Sequence, residues 1–190
     1  RDLTFDLGDE PEVAPGVNGF RGSRAAVSLG VRTRTRNVTL ERITVTGPLR
    51  QGRLGGTETG QFLFGVMGLW TQGITIRDSR FERIVHGIGI AGTDLRIEGN
   101  RMRHSWGDLI EISPQVLPGR DCLATERVVI RNNVLQDVWS NNRIHPDVVH
   151  MFASSKVSCD IRDVTIEGTL AFPGDVGLLQ PGYPAGMENS

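Results

Sequence analysis

Short segments in which apolar residues flank one outward position recur along this chain. Six of them share an apolar-x-apolar pattern, at spacings of 35, 36, 21, 33 and 36 residues: Leu3-Thr4-Phe5, Val38-Thr39-Leu40, Ile74-Thr75-Ile76, Leu95-Arg96-Ile97, Val128-Val129-Ile130 and Val164-Thr165-Ile166. A second set lies between them: Val27-Ser28-Leu29, Phe62-Leu63-Phe64, Ile88-Gly89-Ile90, Ile110-Glu111-Ile112 and Val149-His150-Met151. Alternation over so few residues predicts β-strands whose outer two residues point inward. The chain is therefore predicted to be a repeating all-β protein with two strands per repeat.

Residues at fixed offsets after the first strands repeat as well. The position one residue later alternates in charge from copy to copy: Glu41, Arg77, Glu98, Arg131 and Glu167. Three residues later, four of the five copies carry a polar side chain: Ile43, Ser79, Asn100, Asn133 and Thr169. Five residues later the side chain is apolar: Val45, Phe81, Met102, Leu135 and Ala171. If the copies stack at strand spacing, opposite charges become neighbours, which cross-strand pairing favours.

These features predict a right-handed parallel β-helix of about six coils, with residues 1–190 forming a single domain. A propeller would need four strands in each repeat of about 40–45 residues. Because Leu3-Thr4-Phe5 is already a strand and no capping helix precedes Ser190, we expect the β-helix to be incomplete at both ends. The chain is then a section of a longer protein.

The pattern Val/Ile-x-Ile-x-x-Asn-x-Phe/Met, best seen from Ile97 to Met102 and from Ile130 to Leu135, resembles that of the pectate-lyase-like β-helix superfamily. The resemblance extends from Leu3 to about Leu179 and implies the fold. It implies a polysaccharide as the partner, but that superfamily includes lyases, hydrolases, epimerases and phage tailspikes. The lyase motifs of the superfamily find no residue-by-residue match here, so the resemblance carries over no catalytic residue.

Composition narrows the function classes. Twenty-one basic residues against 22 acidic ones leave a net charge of -1. The chain therefore has no excess of positive charge that would favour binding to nucleic acid or to an anionic membrane. No stretch approaches the roughly 20 apolar residues of a membrane helix. The abundance of glycine, 24 residues, favours many tight turns.

Stacking of the second strands brings acids and histidines together. Asp108 and Asp147 fall in one column, two residues before an inward strand residue, and Glu111 and His150 fall in the outward column. Three more residues are expected to join them: His86 one coil below, Asp175 one coil above, and His145 from the loop before Asp147. We predict Asp108, Asp147 and His150 as candidate catalytic residues, and Glu111, His145 and Asp175 as ligand-binding residues.

Several chemistries suit this strip. Asp108 and Asp147, about 5 Å apart on neighbouring coils, would fit a retaining glycosidase. His150 would fit the base of a lyase or epimerase. No metal or other cofactor is assigned, although Asp108, Glu111 and Asp147 leave calcium as an option. The alternative is structural, because aspartates before buried strands commonly cap turns.

Two pairs of residues carry further expectations. Trp106 and Trp139 occupy one column and form either a flat platform for sugar rings or corner filling in the core. Cys122 and Cys159 lie in consecutive coils and are candidates for a disulfide bridge.

The functional hypothesis is a polysaccharide-recognising β-helix section of an extracellular or virion-surface protein, of the tailspike or receptor-binding-fibre type. Whether it is an enzyme stays open. Its partners would be the polysaccharide and, in a homotrimer or larger assembly, copies of itself or other virion proteins. The alternatives are a secreted polysaccharide lyase, epimerase or glycoside hydrolase, and a non-catalytic structural fibre element.

Overall fold

The structure is a computed structural model that describes residues 3–6, 24–30, 33–47, 63–105, 107–114, 123–138, 147–151 and 159–172. Every regular element in these ranges is a β-strand, and all the strand pairs are parallel. Within the same ranges there is no helix long and apolar enough to cross a membrane. The predicted all-β class with stacked parallel strands is confirmed.

The strands form two sheets. The six-stranded sheet contains, in spatial order, β1 (Thr4–Asp6), β5 (Thr44–Thr46), β7 (Arg80–Ile84), β9 (Arg101–Ser105), β12 (Val134–Val138) and β15 (Leu170–Phe172). The nine-stranded sheet contains β2 (Arg24–Leu29), β3 (Thr35–Arg36), β4 (Thr39–Glu41), β6 (Leu63–Arg77), β8 (His86–Glu98), β10 (Ile110–Ile112), β11 (Thr125–Arg131), β13 (Val149–Met151) and β14 (Ile161–Glu167).

The long strands β6 and β8 each take part in two ladders of the nine-stranded sheet. Their first halves continue the row β2, β6, β8, β10 and β13, and their second halves continue the row from β3 and β4 to β11 and β14. With the six-stranded sheet there are thus three rows of stacked strands. The sequence predicted two strands per repeat, because the segment after each first strand was not recognised as a strand.

Two of the predicted alignments are wrong. Leu3-Thr4-Phe5 is not a first strand, because Phe5 pairs with Val45 in the six-stranded sheet. In the second copy, Val66 rather than Phe62 pairs with Ile88, so the strand had been placed four residues too early. Both errors arise because short apolar-x-apolar patterns also occur elsewhere in a β-rich chain.

The alternating charges do stack in register, as predicted. The column runs Glu41, Arg77, Glu98, Arg131 and Glu167, and we call it the charged column. An arginine nitrogen lies 3.3 Å from a glutamate oxygen in the Arg77–Glu41 pair and 3.2 Å in the Arg131–Glu98 pair. In these two pairs, the charge of each glutamate is therefore balanced by an arginine of the next strand.

A row of buried polar side chains lies beside the charged column. The side-chain oxygen of Asn100 accepts a hydrogen bond from the backbone N–H of Ser79 at 3.1 Å, and that of Asn133 accepts one from Asn100 at 3.0 Å. Asn133 also donates to the backbone oxygen of Ile97 at 2.9 Å. These bonds satisfy backbone groups at the turn and tie successive copies together.

The strand segments that end in the charged column are preceded and followed by residues with a left-handed backbone conformation. Two columns of residues have positive φ: Asn37, Gly73, Asp94, Arg127 and Asp163 in one, and Arg42, Asp78, Gly99, Asn132 and Gly168 in the other. Glycine, asparagine and aspartate adopt this conformation more readily than other residues, and eight of the ten positions carry them. The repeat is thus encoded in turn residues as well as in apolar ones.

The core lies between the rows of strands. Ile76, Ile88, Ile97, Ile110 and Phe81 are among its fully buried members. Because they come from both sheets and form one hydrophobic cluster, the sheets pack against each other through a common core.

A disulfide bond is present at Cys159. Cys122 is the only other cysteine of the sequence and lies outside the described residues. The bonded state of Cys159 agrees with the predicted bridge.

Candidate functional site

The site is built on a bend that puts two consecutive side chains into the core. Leu109 and Ile110 are both fully buried members of the hydrophobic cluster, whereas a regular strand would send only one of them inward. The flanking residues, Asp108 and Glu111, therefore emerge together on the side away from the core. The imidazole of His86 lies beside both of them.

Backbone hydrogen bonds show the same bend on the preceding strand. The consecutive amides of Gly87 and Ile88 donate to the carbonyl oxygens of Asp108 and Leu109, at 3.0 and 2.9 Å. In a regular strand successive peptide groups point to opposite edges, so donation by two neighbours to one strand marks a bend. Because the bend recurs, side chains at equivalent positions stack.

Two columns meet at this bend. In the first, Phe64 pairs with His86, and Asp108 and Asp147 follow because each stands two residues before a paired strand residue, as His86 does. Strand pairing gives the second as Met67, Gly89, Glu111 and His150. Phe64 and Met67 stand where the sequence alignment had placed Gly60 and Leu63, because of the four-residue error in the second copy. The predicted neighbours Asp108, Glu111, Asp147, His150 and His86 are brought together, and we call these five residues the acidic strip.

Asp108 is the centre of the acidic strip. Its Oδ1 accepts a hydrogen bond from the backbone N–H of Asp147 at 2.8 Å, as a turn-capping aspartate does. Its Oδ2 lies 3.0 Å from Nδ1 of His150 and 3.8 Å from Nδ1 of His86. Asp108 therefore caps a turn and also contacts both histidines, so the structural interpretation alone does not describe it.

This contact favours one tautomer of a neutral His150. An ionised carboxylate accepts hydrogen bonds and donates none, so opposite an ionised Asp108 the Nδ1 of His150 would carry the proton. Nε2 is then the ring nitrogen with a lone pair. The Oδ2 of Asp147 lies 3.9 Å from the same Nδ1, so two carboxylates surround one edge of the ring.

Exposure changes along the strip. Asp108 and Glu111 are each 7% exposed, and His86 is similarly buried. The side chains of Asp147 and His150 are about a quarter exposed, at 27% and 24%. Asp147 and His150 are therefore the more accessible members of the strip, and Asp108 and Glu111 are the more deeply buried ones.

Burial shifts the protonation of the two deepest groups. Burial, together with the charge of Asp108, raises the pKa of Glu111 to about 7. Burial lowers the pKa of His86 to about 4 against the opposing effect of Asp108. His86 is thus neutral at physiological pH, and Glu111 is poised between its two states.

An aromatic ring fixes the position of His86. The rings of Phe64 and His86 are stacked with their centroids 4.6 Å apart and an angle of 17° between the planes. Gly89 leaves the necessary space, because a Cβ there would lie 2.5 Å from Cε1 of Phe64. The sequence pattern does not predict a contact between Phe64 and His86, because it aligns Phe62 with Ile88, whereas the segment that pairs there is Val66-Met67-Gly68.

The donor atoms of the strip are close enough to share an ion. Two groups of three each place one possible ligand atom per residue within 4.8 Å of the others: His86, Asp108 and Glu111, and Asp108, Asp147 and His150. The sequence analysis assigned no metal and left calcium as an option.

Four predicted site residues lie outside the described residues: Trp106, Trp139, His145 and Asp175. Their predicted roles stay predictions.

No protein-family model, curated protein or solved structure matches this chain. The resemblance to the pectate-lyase-like superfamily therefore rests on the sequence pattern alone. Any function has to be argued from the strip itself.

Proposed function

We propose that this chain is a section of a right-handed parallel β-helix that recognises a polysaccharide at the acidic strip. We further propose that Asp108, Asp147 and His150 form an acid–base centre there. The observation that carries the proposal is the contact between the buried Asp108 and the more exposed His150, 3.0 Å between Oδ2 and Nδ1.

The strand pairing supports the β-helical part of the proposal. Every described pair is parallel, and hydrogen-bonded turn residues are separated by 21, 33 or 36 positions along the chain. Parallel strands need a long connection, and a connection that always returns to the next position in the stack winds the chain into coils. Three rows of strands around one core are the arrangement that such a coil would have.

The shape of the surface supports an extended ligand. Columns of side chains on stacked parallel strands repeat at about 4.8 Å, so they present a rigid row of contacts rather than an enclosed cavity. A polymer with repeating hydroxyl or carboxyl groups matches such a row better than a small metabolite does. Asp147 and His150 supply the polar groups that would hydrogen-bond a sugar.

The chemistry supported best is proton abstraction by His150. Asp108 holds the ring in the tautomer that leaves Nε2 as a base, and its negative charge stabilises the imidazolium that forms. In a uronic-acid polymer, Nε2 would take the proton from the carbon next to the carboxylate. The electron pair of that C–H bond then forms a C4–C5 double bond, the C4–oxygen bond breaks, and the leaving oxygen takes a proton from water.

Glycoside hydrolysis is the second candidate, and the spacing of two carboxylates favours it. One oxygen of Asp108 and one of Asp147 lie within 4.8 Å of each other. Carboxyl groups about 5–5.5 Å apart are typical of retaining glycosidases. Asp147, the more exposed of the two, would be the nucleophile.

A polysaccharide panel tests the proposal. The purified chain is incubated with polygalacturonate, alginate and neutral polysaccharides, and binding, unsaturated uronate and new reducing ends are measured. We expect binding together with unsaturated product, and a loss of turnover of about 100-fold or more in His150→Gln. His104→Gln is the matched control, because His104 pairs with Asp137 instead, at 3.2 Å.

The other outcomes are decisive too. Reducing ends without unsaturated product would replace elimination by hydrolysis, and Asp147→Asn should then abolish them. Binding that His150→Gln and Asp147→Asn weaken, without any product, would retain recognition and remove the acid–base centre. Binding to no polysaccharide, or binding that neither variant changes, would contradict the proposal.

A location and assembly follow from this function. A protein that recognises polysaccharides on cell surfaces would be extracellular or part of a virion surface, alone or as a homotrimer with other virion proteins. Detection of the native protein in secreted or virion fractions tests the location.

A further inference from the structure

We propose that His86, Asp108 and Glu111 form a binding site for a divalent first-row transition ion such as Zn²⁺ or Mn²⁺. The site shares Asp108 with the contact to His150, but its other two ligands take no part in that contact, and it does not rest on the proposed function. It lies on the buried side of the acidic strip, between the bend of β8 and the bend before β10.

The three donor atoms already have nearly the right spacing. Nδ1 of His86 lies 3.6 Å from Oε2 of Glu111 and 3.8 Å from Oδ2 of Asp108. Ligand atoms bound tetrahedrally to one Zn²⁺ at about 2.0–2.1 Å lie roughly 3.3 Å from one another. A closure of a few tenths of an ångström brings each of these two distances to that value, and the carboxylate oxygens of Asp108 and Glu111 lie within 4.8 Å of each other.

Glu111 is the observation that points to a ligand. Its side chain is 9% exposed and points at His86 and Asp108, yet it makes no hydrogen bond with any part of the chain that the structure describes. A buried carboxylate with no hydrogen-bond donor is costly, because it loses its hydration without replacement. Asp108, by contrast, accepts a backbone N–H bond and contacts His150.

The surroundings supply no cationic side chain. Within the described ranges, the only groups that pair with Asp108 and Glu111 in ion-pair geometry are histidines, and no lysine or arginine is among them. A divalent ion would balance both carboxylates at once. The charged column shows the usual solution, in which each glutamate has an arginine on the next strand.

The donor set selects the class of ion. Calcium takes six to eight oxygen ligands, and magnesium needs an octahedron of oxygen ligands, mostly water and carboxylate. One imidazole nitrogen with two carboxylate oxygens suits zinc, manganese or iron instead. Stacking on Phe64 orients the imidazole toward the carboxylates, as the supporting contacts of metal-binding histidines do.

Metal titration tests the site without any polysaccharide. The full chain is stripped with a chelator, and Zn²⁺, Mn²⁺, Co²⁺ and Ca²⁺ are titrated separately by calorimetry, with the visible absorption of Co²⁺ as a second readout. We expect one Zn²⁺ or Co²⁺ per chain, tighter binding than Ca²⁺, and a raised melting temperature at saturation. Glu111→Gln and His86→Gln should each weaken binding by about 100-fold or more.

The controls separate this site from its neighbours. Asp147→Asn and His104→Gln should leave the affinity unchanged, and Glu111→Asp, which keeps a carboxylate, should retain part of it. Metal binding is compared only among variants whose unfolding transition matches that of the parent. If Glu111→Gln does not fold normally, the metal affinity of Glu111→Asp replaces it as the test of Glu111.

Four results would overturn the proposal. They are no metal binding, binding of Ca²⁺ in preference to Zn²⁺, equal affinity in all the variants, and loss of affinity in Asp147→Asn alone. None of them bears on polysaccharide binding, and loss of turnover in His150→Gln does not bear on the metal. The two proposals therefore fail independently.

Discussion

The acidic strip and the charged column are both rows of ionisable residues on stacked parallel strands, but their charges are balanced differently. In the charged column, arginine and glutamate alternate, and their exposed ends pair across strands. In the acidic strip, Asp108 lies beside Asp147, and the described side chains in ion-pair geometry with these two carboxylates are histidines, which carry a charge only when protonated. Pairing of opposite charges in the charged column stabilises the stacked strands. Carboxylates and histidines that crowd together, as in the acidic strip, are typical of functional sites.

A second difference is the cavity. One open cavity of about 320 Å³ lies beside the charged column and is lined by Asp94, Leu95, Arg96, Arg127, Val129 and Asp163. Two of its charges are already paired with each other, since Arg127 binds Asp94 through two nitrogens at 2.7 and 3.2 Å. This cavity therefore lies beside the charged column and not at the acidic strip.

The largest expected effect contrasts one acid from each row. Asp108→Asn should lower turnover on the cleaved polysaccharide by about 100-fold or more, because the amide no longer balances the imidazolium of His150. Glu98→Gln, in the charged column, should leave turnover within about twofold, because it only weakens a surface ion pair. Initial rates at saturating polysaccharide measure both, and equal losses in the two variants would remove the distinction.

Reduction of the disulfide should affect stability but not the chemistry of the strip. A bridge from Cys159 to Cys122 encloses 36 residues, and its loss should lower the free energy of unfolding by about 4 kcal/mol on the loop-entropy model. Chemical denaturation with and without reductant measures the change. No shift in the midpoint would show that the bridge does not constrain the unfolded chain.

In chelator-treated protein, replacing the buried Glu111 by glutamine should stabilise the fold, whereas replacing the paired Glu98 should not. The pKa of Glu111 rises from 4.5 to about 7 because of burial and Asp108, with His150 opposing. The unfolded chain therefore loses this proton at lower pH than the folded chain, and stability falls as pH rises from about 4.5 to 7. Glu111→Gln lacks that loss and should be more stable than the parent at pH 8, by about 2–3 kcal/mol.

The measurement is the difference in unfolding free energy between Glu111→Gln and the parent at several pH values. The difference should grow through that window and level off above it. Glu98→Gln is the control and should be neutral or slightly destabilising, since its partner Arg131 stays exposed. A pH-independent difference would mean that Glu111 titrates normally.

The smallest effect concerns the charged column itself. Arg77→Gln removes one partner of a half-exposed ion pair with Glu41 and should cost at most about 1 kcal/mol. The cost should shrink in high salt, because screening weakens exposed charges. A loss of several kcal/mol in the free energy of unfolding would mean that the charged column contributes substantially to the stability of the fold.

Much of the stack could be predicted from the sequence. The charged column and the row of Asn100 and Asn133 follow from fixed offsets, and their register is as predicted. Such offsets are informative because stacked strands place the same position of each copy side by side. Apolar triplets were less informative, because Leu3-Thr4-Phe5 and Phe62-Leu63-Phe64 match the pattern without occupying the predicted place.

The sequence predicts which residues meet in the acidic strip, but it does not predict how deeply they are buried. The columns placed Asp108, Glu111, Asp147 and His150 together, because the bend repeats at the same offset. Leu109 and Ile110 are consecutive, and both point into the core, which is a local departure from the alternation of a regular strand. A prediction based on regular alternation therefore does not show how deeply Asp108 and Glu111 are buried. The stacking of Phe64 on His86 was missed for the separate reason that the second copy had been aligned four residues early.

The most direct test of the contrast between the two rows is a crystal structure of His150→Gln with an oligosaccharide from the polymer that the parent protein binds or cleaves. The account predicts a sugar seated across Asp147 and position 150, with the cavity between Arg96 and Arg127 empty. A sugar bound in that cavity, with none at the acidic strip, would contradict the account.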